Sequence, residues 1–161
     1  MARTRTLPTK LRIALAATLL SIASTGFAQP DIGYDPEADP FALLRDAESQ
    51  AATEGKFVLV VAGGDWCIWC HYLHAFLDDN EDIDKALKQT FIVAKTYYGD
   101  KTDNAQFFAT LPEAVGYPHF WVLDADGHVL VSQNTLPLED GDKSYDRANF
   151  LAFIESWKSK L

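Results

Sequence analysis

Residues 56–74 read KFVLVVAGGDWCIWCHYLH. Lys56 to Ala62 is a short, β-branched run whose interior carries no charge, the pattern of a strand buried on both faces. Gly63-Gly64 ends it with residues that accept almost any φ/ψ. Asp65-Trp66 leads into Cys67, and from there to Leu77 there is neither Gly nor Pro, so a helix is predicted. An ideal helix sets Cα atoms three residues apart at about 5 Å, inside the window a disulfide needs. Cys67 and Cys70 can therefore pair without remodelling the backbone.

A cysteine at a helix start has a chemical consequence. The first-turn N–H groups lack intrahelical partners, and the helix dipole places roughly half a positive charge there, so a Cys67 thiolate is stabilised. The thiolate is the species that attacks disulfides, and Cys-x-x-Cys sites bring the first thiol from about 8.5 down to between about 3.5 and 7. Cys70, one turn inward, is then the buried resolving partner. A purely structural staple is the competing reading, but closing so small a loop removes little entropy from the unfolded chain.

DWCIWC after a buried strand, with GYPHFWVLDADGHVL well downstream, resembles the thioredoxin-fold family over roughly residues 38–161. Trp-Cys-x-Trp-Cys-His is more similar to the periplasmic and secreted thioredoxin-like branch than to cytosolic thioredoxin. The resemblance implies an α/β, three-layer sandwich, a central mixed β-sheet with helices on both faces. It further implies a cis-proline facing the active disulfide at Pro118, with the backbone of Tyr117 pairing with an extended substrate. Trp66, Ile68, Trp69, Tyr117 and Pro118 are the expected substrate-contacting residues, with Trp69 the one most compatible with a core position. Two departures stand out. The family usually has a buried acid six residues before the first cysteine, and here Val61 occupies that place, leaving Asp65, His71, Lys95 or water to move protons. Tyr117 is bulky where the family commonly has Thr, Val or Ile.

Residues 1–28 read as a cleaved secretory signal. Arg3, Arg5, Lys10 and Arg12 form the basic region, Ile13 to Ser24 the apolar core, and Gly26-Phe27-Ala28 a small-x-small cleavage site. A dozen apolar residues falls short of the roughly 20 needed to span a bilayer. With the leader's four cations removed, 23 acids face ten Lys/Arg residues, a balance of −13 that argues against nucleic acid or an anionic membrane as partner. The expected product is a periplasmic or secreted monomer with no membrane attachment and no cofactor.

Gln29 to Ala38, with two prolines and three acids, is expected to be a flexible or extended arm, and 39–161 the folded domain. Asp39-Pro40 is an N-cap followed by proline at the first helical position, with Phe41, Leu44, Ala47 and Ala51 on one stripe before Gly55. Residues 78–84 read as a solvated turn opening a short helix that ends near Gln89. Phe91 to Lys95 is the second strand, and a helix is expected from Asp103 to Leu111. Phe120 to Leu123 and Val129 to Ser132 flank Asp-Ala-Asp-Gly, a hairpin connection. Asn134 to Tyr145 is expected to be a tolerated polar loop, and Asp146 to Lys160 a closing helix presenting Phe150, Ile154, Trp157 and Leu161.

These readings lead to a thiol–disulfide oxidoreductase acting on cysteine pairs of other proteins through Cys67 and Cys70, with a redox donor or acceptor protein behind it. Reductase is the preferred direction. A second class is copper binding or transfer by Cys67, Cys70 and His71, since His74 lies about 10.5 Å of helical rise beyond Cys67. A third is a non-catalytic interaction module that keeps the fold.

Overall fold

The structure is a computed structural model describing residues 31–161; the expected signal sequence lies outside the described residues. Four strands, β1 (Phe57–Gly63), β2 (Phe91–Tyr97), β3 (His119–Leu123) and β4 (Val129–Asn134), form one sheet in the order β2-β1-β3-β4. β1 pairs parallel with β2 and antiparallel with β3, which continues antiparallel into β4. The sheet is therefore mixed, as expected.

The alternation of β1 divides the core. Leu59 and Val61 face one cluster, built with α2 (Ile68–Asp79), α3 (Glu81–Thr90) and α5 (Arg147–Lys158). Val58, Val60 and Ala62 face the other, built with α1 (Pro40–Glu54) and α4 (Ala105–Phe108). A central strand with apolar residues on both faces needs cover on both, and the helices supply it. α1 starts as its sequence demands: the Asp39 carboxylate accepts from Phe41 N–H at 2.9 Å, Pro40 opens the first turn, and Gly55 closes it in the left-handed region.

The structure corrects several expectations. The solvated turn at 78–84 is nearly all helix, broken only at Asn80, whose side chain donates to Phe76 O at 2.7 Å. α4 is one turn long because Thr110 Oγ1 donates to Phe107 O at 2.7 Å just before Pro112, competing with helical continuation. On α5, Leu161 is exposed and Phe153 is buried in its place, stacked on Phe91 at 5.7 Å.

The flexible arm is also corrected over its described part. Ile32 and Tyr34 are 1% and 4% exposed and belong to the core cluster that contains Cys70. The loop at 134–145 is likewise built in: Leu138 and Tyr145 are buried, a 3-10 turn spans Leu136–Leu138, and Glu139 bridges Tyr145. Apolar burial on this scale, about 25 cal/mol per Å², is what keeps irregular segments in place.

Candidate functional site

β1 ends at Gly63, and the chain turns through Gly64 into α2. Cys67 is the N-cap of that helix, in extended backbone; its N–H donates to Gly64 O at 3.0 Å and its Sγ accepts from Cys70 N–H at 3.2 Å. Cys67 and Cys70 form a disulfide with Cα atoms 5.2 Å apart. The sulfur at Cys67 thus takes the place of a capping oxygen, accepting one of the helix's orphan donors at its positive end. The same contact favours negative charge on that sulfur after reduction.

Pro118 reaches this point through register. Ala62 pairs with His119, so the residue before His119 lies beside Gly63, and a Cβ at Gly63 would overlap Cys70 Sγ. The Tyr117–Pro118 peptide is cis. Tyr117 stacks on Tyr98 at 4.7 Å and meets the Trp66 ring edge-on at 5.6 Å, while the Trp66 indole N–H donates to Tyr98 O. Burial pushes the Tyr117 phenol up to about 12. Trp66 and Ile68 flank Cys67 at 49% and 54% exposure, whereas both cysteines are covered. Trp69 turns away, edge-on to Tyr72 and Tyr145, and packs against the core.

The three candidates for proton transfer occupy different positions. The His71 imidazole donates from Nε2 to the Asp65 carbonyl at 2.8 Å, which ties that nitrogen to the turn before Cys67. Among the described residues, Asp65 Oδ1 is buried without a hydrogen-bond partner. Lys95 pairs in register with Val61 and sends Nζ to Ile32 O at 2.6 Å, tying the arm to β2. Burial lowers the Lys95 pKa. Among the described residues, the one cluster with metal-ligand spacing is Asp124, Asp126 and His128. There Asp124 accepts from the N–H groups of Asp126 and His128, an ordinary hairpin-turn arrangement.

Two tyrosines at the site were missed by sequence reasoning. Tyr145 Oη donates to Trp69 O at 3.3 Å, and Thr135 Oγ1 donates to Pro118 O at 3.2 Å, so the 134–145 loop holds both α2 and the proline turn. Tyr34 lines an internal cavity of about 20 Å³ together with Cys70, His74 and Lys95. The available signal was the spacing of Ile32 and Tyr34, two apolar residues at i and i+2 in an otherwise acidic segment.

A family model described as thioredoxin-like matches residues 40–125. The chain is 30% identical over 95 residues, 58% of its length, to the thiol:disulfide interchange protein DsbD of Colwellia psychrerythraea. It is 26% identical over 130 residues, 78% of its length, to human spermatogenesis-associated protein 20. Each alignment covers 16% of the relative, so the chain spans about a sixth of the length of the curated proteins it matches. Among solved structures, a disulphide isomerase from Xylella fastidiosa Temecula1 superposes with a TM-score of 0.67 at 23% identity, covering 78% of this chain and 96% of that one. The oxidised C-terminal domain of DsbD from Neisseria meningitidis gives 0.53 at 19% identity, covering 77% and 97%. At those identities the likeness is one of fold.

Proposed function

The chain belongs to the thioredoxin-like family, and on that premise we propose that it is an exported thiol–disulfide oxidoreductase that reduces cysteine pairs in other proteins. The observation that carries the reading is the Cys67–Cys70 disulfide at the N-cap of α2, with Cys67 Sγ accepting a backbone N–H. The Cys67 thiolate attacks one sulfur of the partner's disulfide, forming a mixed disulfide and releasing a partner thiolate. The Cys70 thiolate then attacks Cys67 Sγ, closing the intramolecular disulfide and releasing the partner's second thiolate. Both partner thiolates take up protons; a donor dithiol protein later reverses the exchange on Cys67–Cys70.

Trp66, Ile68 and Tyr117 supply apolar contact beside Cys67, and the backbone at Tyr117-Pro118 offers pairing groups to an extended segment. The basic, apolar and small-residue pattern of residues 1–28 supports a periplasmic or secreted location, and the acidic balance supports a protein partner rather than nucleic acid.

The reduction potential of the chain without residues 1–28, equilibrated in graded thiol buffers and read by alkylation and mass, is the test. A value between about −200 and −270 mV is expected. A value near −120 mV would overturn the reductase direction, and one below about −300 mV would mark a structural staple and overturn the reading itself. Cys70→Ser is expected to accumulate the mixed disulfide, and Cys67→Ser to form none.

A further inference from the structure

Thiol–disulfide exchange through this pair requires Cys70 to lose a proton before it can attack Cys67, and Cys70 is 2% exposed. The strand position from which the family usually supplies an acid is Val61, which cannot accept one. The surroundings of Cys70 contain another polar group. A Cβ at Gly63 would overlap Cys70 Sγ and stand 2.9 Å from Tyr34 Oη, so sulfur and phenol border the same small space, which only a glycine leaves open. Tyr34 and Asp65 in turn line one surface cleft of about 350 Å³, along with Asp31 and Asp35. Asp65 Oδ1 is the buried carboxylate oxygen without a partner among the described residues.

We propose that Tyr34, delivered by the N-terminal arm, relays the Cys70 proton to the Asp65 carboxylate during closure of the disulfide, replacing the acid absent at Val61. This rests on the oxidoreductase reading above. In the step, the Cys70 S–H proton passes to Tyr34 Oη as the phenol passes its own to Asp65, each handover bridged by water, because neither pair is in direct hydrogen-bond contact. The Cys70 electron pair forms the bond to Cys67 Sγ, and the Cys67–partner bond breaks to leave the partner thiolate. Asp65 returns the proton to solvent along the cleft. The phenol enters the step protonated: burial, then the neighbouring Tyr145 and Asp65, hold its pKa far above the ordinary value.

Lys95 is the positioning residue of the relay. Its Nζ holds Ile32 O at 2.6 Å and stands 5.6 Å from the centre of the Tyr34 ring, so the arm's two anchors are adjacent. The charged and titratable groups facing Tyr34 and Cys70 are Asp65 from the turn, Lys95 from β2, His74 from α2, Tyr145 from the late loop, and Asp31 and Asp35 from the arm itself. A change confined to Tyr34→Phe keeps all of these and the ring's packing.

The test mixes the reduced chain with oxidised glutathione, quenches with acid at short times, and follows the Cys67–glutathione adduct by mass across pH. Tyr34→Phe is expected to form the adduct at the native rate and to resolve it about a hundredfold more slowly at neutral pH, the scale of removing a positioned proton-transfer group. Its resolving step is also expected to need a higher pH. Asp65→Asn is expected to reproduce that displacement with Tyr34 in place. Resolution by Tyr34→Phe at the native rate and with the native pH profile would overturn the relay. So would equal slowing of both steps, which is what a merely structural role produces. If Asp65→Asn alone slows resolution, Asp65 acts without Tyr34 and the relay is also overturned. A native protein that forms no adduct at all would instead overturn the oxidoreductase reading.

Discussion

Tyr34 and Tyr145 reach the cysteine helix from opposite ends of the chain, and both come from segments whose composition reads as loop. Both are buried, at 4% and 3% exposure, and both phenols are pushed well above their ordinary pKa by burial. Their hydroxyls serve different ends. Tyr145 Oη donates to the Trp69 carbonyl and locks the late loop to α2, whereas Tyr34 Oη borders the space beside Cys70 Sγ. One phenol is structural because its donor is committed to the backbone. The other is placed where chemistry can use it.

Three substitutions press on that contrast. The largest effect is expected from Gly63→Ala, which would drive a methyl into Cys70 Sγ and Tyr34 Oη while leaving the Tyr145 side untouched. The overpacking is expected to cost about 1–3 kcal/mol in urea unfolding.

Tyr145→Phe is expected to lower stability by about 1 kcal/mol, the usual net value of one hydrogen bond, with no change in the rate at which Cys70 resolves a mixed disulfide. An altered resolving rate would erase the distinction between the two tyrosines.

The smallest effect concerns His119, the residue after Pro118. Its Nδ1 accepts from Val115 N–H at 3.3 Å, so its Nε2–H donates to Ser132 Oγ at 2.8 Å, and burial lowers its pKa. Burial disfavours the charged ring in the folded state, while the unfolded chain protonates it near about 6.5. Its contribution to stability is therefore complete above that value and is lost as the pH falls from there through the lower folded value. His119→Gln is expected to flatten this part of the stability-against-pH curve; an unchanged slope would mean the ring is not the group that titrates.

Much of the architecture was legible because local patterns carried it. The uncharged interior of β1, the Asp39-Pro40 start and Gly55 stop of α1, and the hairpin at Asp124 to Gly127 each declare themselves within a few residues. Cys67 and Cys70 were legible for the same reason, since three-residue spacing on a helix is enough to bring two sulfurs together. The acid-rich stretch at 78–84 misled because charge reads as turn, although Ile83 is wholly buried and Asp82 faces Arg147 of α5. Leu161 misled because a helical stripe was extended past the last turn of its helix.

The sequence alone determined the redox pair, its place at the start of a helix, and a central strand covered on both faces, because each depends on periodicity or spacing between near neighbours. The tertiary structure alone decided that Tyr34 sits behind Cys70, that Lys95 holds the arm through Ile32 O, and that Thr135 and Tyr145 brace Pro118 and Trp69. Those contacts join residues that are tens of positions apart in irregular backbone. No period or cap announces them, and they form because buried polar groups must find partners where the fold happens to bring segments together.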